Sequence, residues 1–210
     1  MAERAVARVV AVPSTPRGQR TRQRILDAAE RVFGELGYHQ AGIVEITQQA
    51  GVALGTFYLY FPDKRAAFED LVHALNRRLR TEIATAIAGV EDRVEREIVG
   101  FETFFRFVDR HRNLYQVIRQ AASVDPELVR WHYETLAKGY VSGLRAAQAK
   151  GEIAADLDPT TTAYALMGMA ESLGMRWMLW DRRFPSAGAR RTLRAFLERA
   201  LRPPKRTAAP

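Results

Sequence analysis

The sequence predicts an all-α protein, a small helical domain followed by a larger one. Apolar residues recur at the helical period along most of the 210 residues, prolines and glycines stand where those runs begin and stop, and no segment alternates at the period of a strand. About nine helices follow from this pattern, and the length allows both domains to bury a core.

Residues 1–18 carry Arg4, Arg8 and Arg17 against Glu3 alone, with Pro13 and Pro16 interrupting them, and are expected to form a basic flexible arm. Ile25, Ala28, Ala29, Val32, Phe33 and Leu36 then share one helical face, and Gly37 supplies a stop. A short helix is expected over 43–50, where Ile43, Ile46 and Ala50 line up before Gly51; another is expected over 54–60, ahead of Pro62. From residue 64 the spacing of Phe68, Leu71, Val72, Leu75, Leu79 and Ile83 predicts a helix long enough to join two domains. Further helices are expected over 91–110, 112–123, 126–150, 159–182 and 188–201. Asp125-Pro126 and Asp158-Pro159 repeat one start signal, a capping carboxylate followed by a proline in the first turn, and Gly151 closes one helix. The expected division is an arm over 1–18, a first domain over 19–80, a second over 81–202 and a disordered tail over 203–210.

A formal charge of +8 and a pI near 10.2 suit a polyanionic partner, whether DNA, RNA or an acidic surface. The absence of cysteine excludes disulfides, thiolate metal sites and thiol nucleophiles. Glu171 breaks the most apolar stretch, 163–175, and Arg8 breaks the short apolar run near the start, so neither a membrane span nor a secretion signal is expected and a cytoplasmic location is. No nucleophile elbow, phosphate-cradling glycine loop or zinc-binding helix motif is present, and His39, His73, His111 and His132 are scattered. No enzymatic activity, metal or cofactor is expected.

The informative window is 43–61, IVEITQQAGVALGTFYLYF. Two helices crossing steeply need a small residue at the contact, a turn residue that tolerates positive φ, and apolar plugs. Thr47 supplies the first, Gly51 the second, and Ile46, Val52, Phe57 and Tyr60 the third, which leaves Ala53, Thr56, Tyr58 and Leu59 facing outward where a major groove can receive them. A corner of this kind also occurs in helical bundles that bind nothing.

The surroundings are more specific. ILDAAERVFGELGY in the first helix, followed by GTFYLYFPDKRAAFEDL from Gly55, closely resembles the N-terminal domain of TetR-family transcriptional regulators. The resemblance covers residues 19–80 and implies a helix-turn-helix that binds double-stranded operator DNA. It implies that Tyr58 meets a phosphate and that Lys64, opening the next helix, meets the backbone of the duplex. Ala53 and Thr56 stand where the family reads bases, with Leu59 beside them. For Tyr60, a place near the duplex backbone and a place in the core both remain. The chain departs from the family in having Ala41-Gly42 where a hydroxyl usually caps the second helix, a contact that Gln48, Arg20 or Arg22 is left to replace. Ala53, Thr56 and Leu59 offer no bidentate base reader, so reliance on phosphates and DNA shape is expected.

The resemblance further implies a homodimer built from the last two helices. The segment 159–182 is apolar on most of its circumference, with Gly168, Ala170 and Gly174 allowing close approach. A pocket for a small hydrophobic effector is expected around Phe104, Phe105, Val108, Tyr115, Ile118, Trp131, Met167 and Met169, with Arg106, Arg110, Arg112 and Arg119 available to an acidic group. Residues 111–140 resemble the sensor half of members that respond to acyl-CoA. The implied function is a repressor released from DNA by such a ligand; the competing one is a helical lipid-binding or scaffold protein that binds no DNA.

Overall fold

The computed structural model describes residues 13–203, without the side chains of Leu114, Arg119 and Gln120. Among the described residues the chain forms α1 (Pro16–Gln40), α2 (Ile43–Ala50), α3 (Leu54–Tyr58), α4 (Lys64–Ala86), α5 (Arg93–Arg110), α6 (Arg112–Val124), α7 (Pro126–Ala149), α8 (Pro159–Gly174) and α9 (Ala187–Leu201), and no strand. A π-helical stretch, Met175–Trp180, extends α8. The all-α expectation is met. Most of the expected arm and tail lies outside the described residues, and α1 opens at Pro16 with the Thr15 hydroxyl accepting from the Gly18 amide.

The chain divides into two compact units that are not contiguous in sequence. The first comprises residues 13–75 together with 113–130, and the second comprises 76–112 and 131–203.

In the first unit the apolar face of α1 lies where its spacing predicts, with Ile25, Leu26, Ala28, Ala29 and Phe33 fully buried. Leu36 is the exception: it remains exposed, one residue before Gly37 (φ 79°) turns the backbone. Phe33 meets Phe68 of α4 edge-on at 5.3 Å between ring centroids, and Tyr38 packs on the same ring at 4.9 Å. A Cβ at Gly34 would lie 2.2 Å from that of Asn113, so the glycine is what allows α6 to cross α1 at that point.

In the second unit the aspartate-proline start at Asp158-Pro159 works as its chemistry dictates. The Asp158 carboxylate accepts from the Thr161 amide at 2.6 Å, with Pro159 in the first turn. That amide holds the Asp158 carboxyl below the usual carboxylate range. Asp92 opens α5 in the same manner, accepting from Glu95 at 2.9 Å. Phe101, Phe105 and Phe107 of α5 are buried, and Phe105 meets Trp177 edge-on at 5.2 Å. The 159–182 segment, expected as one α-helix, changes geometry after Gly174. There the Asp181 amide bonds the Arg176 carbonyl at 2.8 Å, five residues back, and a Cβ at Gly174 would stand 3.0 Å from the Phe104 ring. Arg194 of α9 ties to Glu95 at 2.5 Å, and Arg202, just past α9, to Asp92 at 3.0 Å.

Candidate nucleic-acid interface and ligand cavity

The corner between α2 and α3 is built from backbone geometry. Gly51 adopts φ 62°, ψ 44°, a left-handed conformation that a side chain would strain, and the Val52 amide returns to the Thr47 carbonyl at 3.0 Å. From α1, one guanidinium nitrogen of Arg24 donates to the carbonyls of Ala50 (2.6 Å) and Gly51 (3.1 Å), satisfying acceptors that the end of α2 leaves open. Thr47 is buried at the helix crossing, its hydroxyl donating to the Val44 carbonyl at 2.9 Å. Phe57 and Phe61 face inward with ring centroids 5.5 Å apart. α3 ends at Tyr58, and Leu59 and Tyr60 continue as a tighter turn bonded to Thr56 and Phe57.

This arrangement leaves Gln48, Ala53, Tyr58 (49 % exposed) and Leu59 (69 % exposed) on the surface, and Thr56 and Tyr60 half-buried. Val44 and Leu54 are exposed beside them, a concentration of bared large side chains that no fold requirement explains. Gly42 opens α2 without a side-chain cap, as the departure at Ala41-Gly42 implies. Of the arginines considered as substitutes, Arg20 is exposed, while Arg22 turns inward to pair with Asp70 and lie over the Phe61 ring at 5.3 Å.

Lys64 is half-buried, and its ammonium donates to the Tyr38 and Ala41 carbonyls, each at 2.8 Å, and lies 4.5 Å from the centre of the Tyr38 ring. Two of its three N–H groups therefore close the end of α1, leaving one for an outside acceptor. Sequence reasoning missed this structural duty, as it missed the Arg24 clamp. Neither has a local signal, since each joins residues more than twenty positions apart.

The second unit contains a cavity of about 610 Å³ between the later turns of α4, the first turns of α5 and the middle of α7. That is the size of a small-molecule site. Arg77, Arg80, Arg93 and Arg96 line it, with Glu97 the acid among them, and Ile83, Ala84, Ile87 and Leu136 supply apolar wall. A smaller chamber of about 50 Å³ shares Ile83, Gly100, Leu136 and Tyr140 with it, and adds Phe101, Phe104, Met167 and Glu171. Burial raises the Glu171 carboxyl above its ordinary range, partly offset by a hydrogen bond from Tyr133. Beside the cavity, Arg80 donates to the Asn76 amide oxygen at 3.0 Å, and the Asn76 amide nitrogen bonds His132 at its carbonyl (3.1 Å) and ring Nδ1 (3.0 Å). Burial lowers the His132 imidazole to about 4, which keeps it neutral.

Of the side chains expected around a pocket, the structure brings Phe104 and Met167 to the smaller chamber. Phe105 and Val108 are core, Trp131 and Met169 are half-buried away from both spaces, and Tyr115 and Ile118 belong to the first unit. The Arg119 side chain lies outside the described residues. Arg106, Arg110 and Arg112 line neither space; they pair with Glu102, Glu82 and Asp109. The cationic wall comes instead from Arg77/Arg80 and Arg93/Arg96, each pair three residues apart and so on one helix face, a spacing that was readable in the sequence. Among the described residues no cluster of three acidic or histidine side chains is placed to hold a metal, and no helix is long and apolar enough to cross a membrane.

Comparison with known proteins agrees with this anatomy. The profile of the bacterial regulatory proteins of the tetR family matches residues 25–71. The chain is 32 % identical over 175 residues to the uncharacterized HTH-type transcriptional regulator YdgC of Bacillus subtilis, covering 81 % of this chain and 88 % of that one. Among solved structures, Salmonella enterica GusR superposes with a TM-score of 0.78 at 27 % identity, over 91 % of this chain and 99 % of that one. The transcriptional regulator FadR from Bacillus subtilis, solved in complex with stearoyl-CoA, shares the fold with a TM-score of 0.73 at 23 % identity, over 83 % and 96 % of the two chains.

Proposed function

The chain belongs to the TetR family of bacterial regulatory proteins, and on that footing we propose that it is a homodimeric repressor that leaves its operator when an acyl-CoA-type ligand occupies the second unit. The observation that carries the ligand class is the cavity itself. An arginine-lined space of about 610 Å³ adjoins a chamber walled by Phe101, Phe104 and Met167, which suits a molecule with an anionic head and an apolar chain. The stearoyl-CoA bound by the FadR relative is of that chemistry.

In the first unit, at the reading head formed by α2 and α3, the exposed Tyr58, Ala53, Leu59 and Gln48 would face the duplex with the half-buried Thr56 and Tyr60, and Lys64 would offer its remaining N–H to a phosphate. The absence of a long bidentate donor on α3 favours recognition by backbone contacts and DNA shape, so binding should weaken steeply with salt. α4 contributes Lys64 to the head and Arg77, Arg80 and Ile83 to the cavity, and a ligand that prefers one setting of this helix shifts the DNA-binding population. The dimer would use α8 and α9, where Tyr164 and Phe196 are exposed and a Cβ at Gly168 would meet nothing within 4 Å among the described residues. A cytoplasmic location follows from the DNA target.

Fluorescence anisotropy with DNA flanking the gene tests both halves. Octanoyl-CoA and palmitoyl-CoA are titrated against the bound complex, with CoA and the free fatty acids as controls. The expected result is tight operator binding released by at least one thioester and by neither control. No binding to the flanking DNA overturns the regulator's assigned target, and binding that no thioester relieves overturns the ligand class.

A further inference from the structure

Arg93 and Glu97 stand one helical turn apart on α5 in the wall of the larger cavity, and both are buried, at 7 % and 3 % exposure. They form an ion pair, and the Tyr140 hydroxyl, from α7, donates to the second carboxylate oxygen at 3.0 Å. The guanidinium lies against Gly143, where a Cβ would sit 3.1 Å from its Nη1, so this residue's lack of a side chain leaves it room. Its Nε is buried with no hydrogen-bond partner among the described residues. A buried donor left unmet is costly, and so is a buried ion pair whose desolvation rivals its attraction.

Around this pair the cavity gathers Arg77, Arg80 and Arg96, so Glu97 is one carboxylate among four lining arginines. The Nε of Arg80 is taken up by Asn76 and that of Arg96 by the Val90 carbonyl, which steadies both side chains. The lining is thus cationic in excess, with its most enclosed cation held by an internal anion.

We propose that Arg93 is the anchor for an anionic group of the effector, a carboxylate, sulfonate or phosphate oxygen, and that Glu97 is an internal stand-in for that group which gives up Arg93 when the ligand arrives. The inference rests on the cavity being the effector site, and does not require the effector to be an acyl-CoA. Glu97 can be released because Tyr140 remains to donate to it. Burial also raises its carboxyl above the ordinary range, so it can take a proton from solvent once the guanidinium turns to the ligand. In the empty site Glu97 keeps the guanidinium compensated, and it sets a threshold that weakly anionic or neutral molecules of the same shape do not cross.

A pair of probes that differ in one anionic group reads this directly: anilinonaphthalene sulfonate and its uncharged parent, phenylnaphthylamine, both fluorescent when enclosed in an apolar site. In the full-length protein, Glu97→Gln removes the competing anion. It is expected to tighten sulfonate binding about tenfold, a difference of about 1.4 kcal/mol, and to leave the parent within about twofold. Arg93→Gln is expected to weaken the sulfonate about tenfold and spare the parent. Because that variant strands a buried carboxyl, Arg93→Gln combined with Glu97→Gln serves if the single variant does not fold. An unchanged ratio of the two affinities in Glu97→Gln, or wild-type sulfonate affinity in the double variant, overturns the proposal. Failure of acyl-CoA to release operator DNA removes the ligand class above and leaves this result standing.

Discussion

The two units are all-helical alike but organise function differently. In the head, the exposed surface of α2 and α3 is held by a corner of consecutive residues, with Gly51 at the turn and Thr47 and Phe57 beneath. In the second unit, the cavity wall is assembled from α4, α5 and α7, with Arg77, Arg93 and Tyr140 far apart in sequence. A surface built on one turn is readable from local chemistry. A cavity between helices can be refilled by small changes of packing, which is what the proposed response to a ligand requires.

The comparison breaks most visibly at Phe57. Phe57→Ala empties a fully buried site beneath α3 and is expected to cost the head about 3–5 kcal/mol, abolishing operator binding. Anilinonaphthalene sulfonate titrated into the same variant should retain its affinity; parallel loss of both activities would show that head and cavity fail as one.

Acid should strike the second unit next. The His132 ring lies near 4 in the folded protein against about 6.5 when unfolded, so below the latter the unfolded chain binds the extra proton and the folded one does not. The stability His132 retains when neutral is complete above about pH 6.5 and falls by about 3 kcal/mol as the pH descends to about 4. Urea unfolding of wild type and His132→Asn across this window isolates the contribution: the variant should lose less. Equal slopes would place the imidazole in a more solvated setting.

Lys64 sharpens the contrast, because it serves structure in a region read for binding. Lys64→Met keeps the stem but withdraws two charged donors from the Tyr38 and Ala41 carbonyls, at an expected cost of about 2 kcal/mol. Urea midpoints check this, and an unchanged midpoint would mean the ammonium serves DNA alone. The smallest effect belongs to Tyr58→Phe. Half-exposed and outside the core, it should leave the urea midpoint alone while operator affinity falls about twofold to tenfold, the worth of one hydroxyl-phosphate hydrogen bond. Anisotropy titrations against wild type measure it.

Much of the head was legible because its signals act within a turn or two of chain. The break in helical geometry at Gly37, the 43–50 helix and its left-handed Gly51, and the inward Phe57 against outward Tyr58 and Leu59 all follow from residue type and spacing. The cavity was legible only as a composition. Phe104 and Met167 reach the smaller chamber as expected, whereas Phe105 and Val108 are core and the lining arginines stand on α4 and the first turn of α5, not on the last turns of α5 and on α6. Aromatic and methionine positions at helical spacing mark every buried face alike, and do not distinguish a filled interior from an open one.

From the sequence by itself came most of the helices, the aspartate caps ahead of Pro126 and Pro159, the corner at Gly51 and the family, since hydrogen-bond ladders and turn conformations are decided by neighbours along the chain. Tertiary structure alone decided that residues 113–130 pack with the head, where Gly34 admits Asn113, and that four arginines and Glu97 surround one space. It also decided that Lys64 closes α1 and that α8 passes into a π-helical stretch at Gly174. The reason is the same in each case: side chains distant in sequence compete for one volume and one set of donors and acceptors, and that competition has no solution until the helices are packed.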